Sequence, residues 1–206
     1  MKTYKIHLIR HGLTEANEKG RYIGKTDLAL TKESVKELKD LRASYTYPSA
    51  SVIYSGPLKR CVQTAQILYP GREIQTVDNL TEYDFGDFEG KTGAELDGRP
   101  DFTAWVSGKM PAPPNGESNE DFQKRVLLGF NQIVVDLMKK GETSGAVIMH
   151  GGVMTTLLSA CALPQRRAVE WGCDAGFGYT LLVTPTLYQR SGVVEVIDLI
   201  PYPDKN

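Results

Sequence analysis

Two apolar segments that each end in a histidine followed by glycine constrain this chain more than any other feature. The first, residues 6–9, leads into Arg10-His11-Gly12, and the second, residues 147–149, leads into His150-Gly151-Gly152. Apolar runs this short are typical of buried β-strands. A cation, an imidazole and a glycine at the end of a strand can place a nucleophile and an anion-binding group on one sharp turn. We therefore expect folding to bring the two histidines together at one site.

The composition is that of a globular domain, with 41% hydrophobic and 24% charged residues among 206. A net charge of −1 gives no reason to expect nucleic acid or a membrane as a partner. Cys61, Cys161 and Cys173 have no paired spacing, which suits reduced thiols in a cytoplasm. The chain enters its first strand directly and has no apolar stretch of bilayer length, so we expect no signal peptide or membrane anchor. The sequence predicts a cytoplasmic protein with a single domain over residues 1–206.

Strand-like and helix-like segments alternate along the chain, and this alternation indicates an α/β sandwich with a mostly parallel sheet. The strand-like segments are residues 4–9, 51–54, 73–77, 145–149, 178–184 and 193–199. A turn-rich stretch, residues 185–192, separates the last two segments, so we expect them to form an antiparallel edge of the sheet.

Three helices are marked by signals at their ends. Thr31 can cap the first of them. The sequence Ser55-Gly56-Pro57 predicts the start of a second helix that continues to Leu68. The longest helix is expected to begin after Ser118 and to end at Gly141.

A segment of different character lies between the third strand and the longest helix. Residues 86–116 are rich in glycine and proline and have weak periodicity. A connection of this length is often functional. We interpret residues 83–117 as a small cap over the site. Its aromatic side chains could line a substrate pocket, although core packing is the simpler interpretation of each one; they are Phe85, Phe88, Phe102 and Trp105.

His11 is the candidate nucleophile, because a neutral imidazole reacts well near neutral pH and its phosphoramidate can be hydrolysed in a second step. Arg10 precedes it directly, but successive side chains of a strand point to opposite faces. Both side chains converge only if a turn begins at Arg10, and Gly12 would supply the backbone freedom for that turn. Neighbouring cations would keep the imidazole neutral and attract a phosphate dianion.

Arg60 and His150 are candidates for binding an anion. Arg60 lies early in the second predicted helix, where a guanidinium can bind two phosphate oxygens. Taken alone, it is more simply interpreted as a solvated arginine of a helix face. His150 precedes Gly151-Gly152 and a predicted helix through Cys161, so a protonatable donor and free backbone N–H groups lie at a helix start.

A leaving alkoxide needs a proton, and Glu82 follows a strand end from which it could face the same side of the sheet. Three other acids are close in sequence, and spacing alone does not decide among the four; they are Asp84, Asp87 and Glu89. Glu82 and the two histidines could also ligate a zinc ion, but two nearby arginines would repel a metal.

Taken together, these segments resemble the histidine phosphatase superfamily, which contains cofactor-dependent phosphoglycerate mutase. The resemblance covers nearly the whole chain and depends on motifs in the family's order, since an isolated Arg-His-Gly would not be specific. The motifs are Arg10-His11-Gly12 with Thr14 and Asn17, Tyr22-Ile23-Gly24, Asp27-Leu28-Ala29-Leu30-Thr31, Ser55-x-x-Leu58-x-Arg60-x-x-Gln63-Thr64-Ala65, Leu80-x-Glu82, Gly116-Glu117-Ser118 and His150-Gly151.

The resemblance implies a three-layer α/β/α fold like that of phosphoglycerate mutase, with the site at the carboxyl ends of the strands. It implies that His11 is phosphorylated and that Glu82 acts first as an acid and then as the base for water. The phosphoryl oxygens would be held by Arg10, Arg60 and His150.

The same resemblance implies a phosphate pocket lined by Asn17, Gly24 and the backbone of Gly151. No metal or other cofactor is implied, because the arginines neutralise the charge. The implied partner is a small phosphorylated metabolite. The sequence leaves a homodimer open without indicating one.

Family members that are mutases carry extra basic residues in an enlarged cap, whereas this cap segment offers only Lys91, Arg99 and Lys109. Residues 84–90 and 114–118 are more similar to small bacterial phosphatases, α-ribazole phosphatase among them. We therefore expect a metal-independent phosphomonoester hydrolase, with α-ribazole phosphate as one candidate substrate. The alternatives are a phosphoglycerate mutase and a phosphate-binding module without turnover.

Overall fold

A seven-stranded sheet forms the centre of the computed structural model, which describes residues 2–203. The strands are β1 (Tyr4–Arg10), β2 (Tyr45–Thr46), β3 (Val52–Ser55), β4 (Ile74–Thr76), β5 (Ser144–Met149), β6 (Ala162–Leu163), β7 (Gly178–Val183), β8 (Val194–Ile200) and β9 (Tyr202–Pro203). The α-helices are α1 (Glu15–Glu18), α2 (Lys32–Ser44), α3 (Lys59–Leu68), α4 (Gly93–Leu96), α5 (Pro100–Val106), α6 (Asn119–Lys140), α7 (Gly151–Cys161) and α8 (Pro185–Ser191).

The order of strands in the main sheet is β4-β3-β5-β1-β7-β8-β6, and β2 pairs with β9 in a small second sheet. Strands β4, β3, β5 and β1 run parallel, and β7 is antiparallel to both of its neighbours. The predicted mostly parallel sheet with an antiparallel pair is confirmed. The reversed strand β7 lies inside the sheet rather than at its margin, because β8 and β6 extend the sheet beyond it.

Helices cover both faces of the sheet, as the three-layer prediction requires. Helices α6 and α7 pack on one face, where Leu8 of β1 belongs to the larger core cluster. Helices α2 and α3 pack on the other face, where the next residue, Ile9, belongs to the second cluster with Leu38 and Ala65. The two-residue period of the strand thus divides β1 between two cores.

The signals at the ends of two helices gave correct predictions. The Thr31 hydroxyl accepts a hydrogen bond from the backbone N–H of Ser34 at 3.1 Å, and α2 begins at the next residue after Thr31. Ser118 caps α6 in the same way, and Gly141 ends that helix with a φ of 72°, which glycine adopts without strain.

Two other predictions were wrong. Helix α3 begins at Lys59 and not at Ser55-Gly56-Pro57, because β3 continues through Ser55. Leu58, which precedes α3, offers no capping side chain, and the Asp27 carboxylate instead accepts the backbone N–H of Lys59 at 2.7 Å. The stretch described as turn-rich contains helix α8, with proline in its first turn and Gly192 at its end.

Candidate active site

Strand register brings the two histidines together. Arg10 is opposite Met149 in the parallel pairing of β1 with β5, so the next residues of both strands are neighbours. The backbone N–H of His11 donates to the Met149 carbonyl at 3.0 Å. The imidazole rings of His11 and His150 lie 5.0 Å apart between centroids, at 71° to each other. Adjacent strand ends therefore form the base of a single site.

Gly12 is required for close packing rather than for an unusual backbone angle. Its φ lies outside the left-handed region, so the predicted need for special backbone freedom is wrong. A Cβ at this position would lie 2.7 Å from the Ser34 hydroxyl and 2.8 Å from Leu38 Cδ1. Because no such carbon is present, the turn after β1 lies directly on α2, and both Arg10 and His11 face the cleft described below.

The protonation state of His11 suits a nucleophile. Its Nδ1 lies 2.6 Å from the Gly12 carbonyl oxygen, which can only accept a hydrogen bond, so Nδ1 carries the proton and Nε2 keeps a lone pair. Burial, together with the charge of Arg60, lowers the pKa of His11 to about 3, and the bond to the Gly12 carbonyl opposes this shift. The ring is therefore neutral at neutral pH, with Nε2 available for attack.

Arg60 is buried beside His150 and is not a solvated arginine, with an exposure of 1%. Its Nε donates to His150 Nδ1 at 3.1 Å, and its two terminal nitrogens donate to the carbonyls of Thr26 and Gly24 at 2.8 and 2.7 Å. His150 therefore carries its proton on Nε2. Burial lowers the pKa of His150, and the proximity of the His11 ring and the charge of Arg60 add to this effect. Two of the five N–H groups of Arg60 remain for another acceptor.

Arg10 is the last residue of β1, and its guanidinium lies beside the first turn of α7. One terminal nitrogen donates to the Cys173 carbonyl at 2.6 Å, and a Cβ on Gly151 would be 3.4 Å from Arg10 Nε. In residues 2–203, only two buried side-chain nitrogen or oxygen atoms lack a hydrogen-bond partner, Arg10 Nε and Trp171 Nε1. An unpaired buried donor costs ~1–3 kcal/mol. An anion beside Arg10 and the N-terminus of α7 would satisfy this donor.

The Glu82 side chain extends from the loop after β4 to the first turn of α7. Its two carboxylate oxygens accept the backbone N–H groups of Tyr83 and Gly152, each at 2.9 Å. Burial raises the pKa of Glu82 above its ordinary range, although these two hydrogen bonds and the charge of Arg60 oppose the shift. The carboxyl group therefore holds a proton at higher pH than an exposed glutamate does.

The other three acids each have a partner outside the cleft. Asp84 pairs with Lys25 at 2.6 Å. Glu89 accepts the backbone N–H groups of Gly24 and Thr26. Asp87 accepts a hydrogen bond from the amide of Asn115. Of the four candidates, the cleft wall contains Glu82 alone.

A cleft of about 300 Å³ lies at the carboxyl ends of β1 and β5 and the start of α7. Its walls are formed by Arg10, His11, Asn17, Ile23, Glu82, Gly151, Gly152, Met154, Thr155, Trp171, Gly172 and Cys173. Arg60, His150 and Gly24 are not wall residues. They lie behind the wall, where the Gly24 carbonyl holds Arg60 and Arg60 holds His150. In residues 2–203, no cluster of three or more His, Cys, Asp or Glu is arranged to hold a metal ion.

Sequence reasoning missed several wall residues. Thr155 lies one helical turn after Gly151, so the period of α7 could have revealed it. Trp171 and Cys173 come from the irregular segment after α7, for which the sequence offers no signal. Burial raises the pKa of Cys173 to about 11, so its thiol is not a competing nucleophile at neutral pH.

Residues 83–117, for which the sequence predicts a cap, are packed through their aromatic side chains. Of the wall residues, none comes from residues 84–117. The aromatic side chains of this segment pack on one another and on Tyr22 of an earlier loop; they are Tyr83, Phe85, Phe88, Phe102 and Trp105. The segment therefore packs against the loop that carries Ile23 and Gly24.

Substitution of Gly152 tests the position of Glu82. A Cβ at residue 152 would lie 2.4 Å from Glu82 Oε1, so Gly152→Ala must displace the carboxylate. We expect the rate of any reaction that uses the Glu82 proton to fall about 100-fold, the order of loss that a 1 Å misplacement causes. Gly93→Ala is the matched control, because no atom lies within 4 Å of a Cβ there. Equal kcat values for the two variants would contradict this geometry.

Comparison with known proteins assigns the chain to a family. The sequence model of the histidine phosphatase superfamily (branch 1) matches residues 6–182. The chain therefore belongs to the histidine phosphatase superfamily. In residues 2–203, no helix combines the length and the apolar character needed to cross a bilayer.

Three of the proteins that the chain is similar to come from Salmonella, Cytophaga and Shigella. The adenosylcobalamin/alpha-ribazole phosphatase of Salmonella typhimurium is 28% identical over 180 residues, which cover 82% of this chain and 87% of that protein. The 2,3-bisphosphoglycerate-dependent phosphoglycerate mutase of Cytophaga hutchinsonii is 27% identical over 158 residues, with coverages of 73% and 74%. The crystal structure of the alpha-ribazole phosphatase from Shigella flexneri superposes with a TM-score of 0.76 at 20% identity, covering 98% of this chain and 100% of that one, and this likeness shows the fold alone.

Proposed function

We propose that this chain is a metal-independent phosphomonoesterase that forms a phosphohistidine at Nε2 of His11. The observation that carries the proposal is a buried, neutral His11 with a free Nε2 on the wall of a cleft that also contains Arg10 and Glu82. A nucleophile, a cation and a carboxyl group with a raised pKa are the three groups that transfer of a phosphoryl group to histidine requires.

The proposed reaction has two displacements at phosphorus. In the first, His11 Nε2 forms a bond to phosphorus, the bond from phosphorus to the alcohol oxygen breaks, and the leaving oxygen takes the proton from Glu82. In the second, water attacks the phosphohistidine, gives a proton to the Glu82 carboxylate, and the bond from Nε2 to phosphorus breaks. Arg10, Arg60 and the positive end of α7 stabilise the phosphoryl charge in both steps.

The basic side chains in and beside residues 83–117 support hydrolysis over mutase chemistry. A mutase must bind a second anionic group, but three basic side chains around residues 83–117 are already neutralised. Their ion pairs are Arg21–Glu95 at 2.8 Å, Lys25–Asp84 at 2.6 Å and Arg99–Asp101 at 2.6 Å. We infer that the substrate is a small metabolite with one phosphate monoester, and α-ribazole phosphate is a candidate because relatives carry that name.

A panel of phosphate esters tests the proposal. Purified protein is incubated with α-ribazole phosphate, sugar phosphates, nucleotides and phosphoglycerates, with and without a metal chelator, and inorganic phosphate is measured. We expect release from at least one ester that the chelator does not alter. Release that the chelator stops, or isomerisation of a phosphoglycerate that needs a bisphosphate primer, would overturn the proposal, as would binding of phosphate without turnover.

The pH dependence of hydrolysis follows from two buried groups. Because the pKa of His11 is lowered to about 3, its Nε2 stays unprotonated across the working range, so no acid limb near an ordinary histidine pKa is expected. Glu82 acts as the acid, so kcat/KM for an alkyl phosphate falls as pH rises through its raised pKa. The measurement is kcat/KM between about pH 4 and pH 9, corrected for the substrate phosphate ionisation near pH ~6. A corrected profile that rises with pH through about 6.5 would contradict the assignment of His11.

A further inference from the structure

Arg125 of α6 makes a hydrogen bond with each of its five guanidinium N–H groups. Nε and one Nη2 hydrogen donate to the carboxylate of Glu117 at 2.8 and 2.6 Å. The other three N–H groups donate to the backbone carbonyls of Asn79, Thr81 and Glu82, at 3.0, 2.5 and 2.9 Å. A guanidinium has five donors, so all of them are satisfied in this arrangement. Arg125 thus binds the loop that presents Glu82 to the cleft.

This ion pair is better shielded from water than the other pairs on the same helix. The side chains of Arg125 and Glu117 are 22% and 15% exposed, whereas those of Lys124 and Glu120 are 67% and 75% exposed. Exposed pairs contribute little to stability, and paired hydrogen bonds from a shielded guanidinium are stronger and geometrically specific. The Arg125 guanidinium also packs over the ring of Phe122, 4.8 Å from its centroid.

Helix α6 contacts the same loop one turn further along. A Cβ on Gly129 would lie 2.9 Å from Asn79 Cβ and 3.0 Å from Leu80 Cδ2, so the absence of a side chain lets the loop lie against the helix. Beyond the loop, the Glu117 carboxylate accepts the backbone N–H of Asp84 at 3.2 Å. The backbone on both sides of Glu82 is therefore fixed by Glu117 and Arg125 together.

We propose that Arg125, oriented by Glu117, is a positioning residue that aligns the Glu82 carboxyl group with the oxygen of the leaving alcohol. Arg125 is not part of the cleft wall, so it acts through Glu82 and not by contact with substrate. The inference rests on the proposed phosphomonoesterase activity. General acid catalysis requires hydrogen-bond distances between the acid and the leaving oxygen, so a small displacement of Glu82 has a large effect on the rate.

Charge and geometry make different predictions for Arg125→Lys. The positive charge of Arg125 also lowers the pKa of Glu82, and a lysine would keep that charge. A lysine ammonium is a point charge with three donors, and it cannot bind a carboxylate in two places while it also holds three carbonyls. If geometry is what matters, lysine does not replace arginine.

The test compares two substrates that differ in whether the leaving group must be protonated as it departs. A dinitrophenyl phosphate has a leaving group that departs without protonation, whereas an alkyl phosphate that the enzyme accepts needs the acid. We expect Arg125→Lys and Arg125→Gln to lower kcat/KM for the alkyl phosphate about 10-fold or more, and for the aryl phosphate less than ~3-fold. Glu117→Gln is expected to lower the ratio of alkyl to aryl kcat/KM in the same direction. Lys124→Gln, which breaks the exposed ion pair beside Arg125, is the matched control and leaves both values unchanged.

Thermal unfolding of each variant separates catalysis from folding. If Arg125→Gln does not fold, Arg125→Lys and Glu117→Gln decide the question. Equal losses of kcat/KM for both substrates in the Arg125 variants would overturn the inference and indicate a purely structural role. Full alkyl phosphatase activity in Arg125→Lys would overturn it too, because charge alone would then suffice. Failure of the proposed function is distinguishable from these outcomes, since the unsubstituted protein would then release no phosphate from either ester.

Discussion

Alanine in place of His11 is expected to lower kcat for every accepted phosphate ester at least ~10⁴-fold, because the variant has no nucleophile for the first displacement. The nearby alternatives are poor substitutes. His150 points its unprotonated Nδ1 at Arg60, and burial raises the pKa of the Cys173 thiol to about 11. The measurement is steady-state release of inorganic phosphate by purified, folded protein.

His7→Gln is the matched control for this substitution. His7 is also a buried histidine of β1, but it hydrogen-bonds to Thr180 and is not part of the cleft wall. We expect His7→Gln to retain kcat within about threefold once its folding is verified, as for a change away from the reacting groups. Turnover in His11→Ala comparable to that of His7→Gln would end the proposed mechanism.

The second large effect is expected for Glu82→Gln. Glutamine keeps the size of the side chain but cannot donate the acidic proton, and general acid catalysis typically contributes about 10²–10⁴-fold. We expect kcat/KM for an alkyl phosphate to fall by that factor and kcat/KM for a dinitrophenyl phosphate to change little. The alkaline decline of the pH profile should disappear with the carboxyl group.

Asp87→Asn is the corresponding control, since Asp87 is an exposed acid of the same segment whose carboxylate bonds to Asn115. It should leave the ratio of alkyl to aryl hydrolysis unchanged. If Glu82→Gln lowers kcat/KM equally for both substrates, Glu82 is not the acid that protonates the leaving group. The assignment of the first displacement must then change.

The parts of the site that lie on regular elements could be predicted from the sequence. His11 and His150 each follow an apolar strand, and neighbouring parallel strands end at the same edge of the sheet, so their meeting follows from periodicity and topology. The helix start after His150 could be predicted from the sequence in the same way. The sequence could not reveal that Arg60 lies behind the wall, because that depends on the carbonyls of an irregular loop.

The loops were less predictable for a physical reason. Spacing could not separate Glu82 from Asp84 or Glu89, because the choice depends on which long-range partners each carboxylate finds. Trp171 reaches the cleft from a short 3-10 helix, Ala168–Trp171, whose start is not marked by a Ser, Thr, Asp or Asn cap. The sequence also does not decide whether the aromatic side chains of residues 83–117 form a packed cluster or a pocket wall, because both have the same composition.

Detection of the covalent intermediate tests the central claim most directly. The protein is mixed with a dinitrophenyl phosphate, quenched in alkaline denaturant, which preserves a phosphoramidate, and analysed by mass spectrometry with peptide mapping. The account predicts one added phosphoryl group, located on His11, lost in acid and absent from His11→Ala. A phosphoryl group on another residue, or rapid release of dinitrophenol with an unmodified His11 throughout, would contradict it.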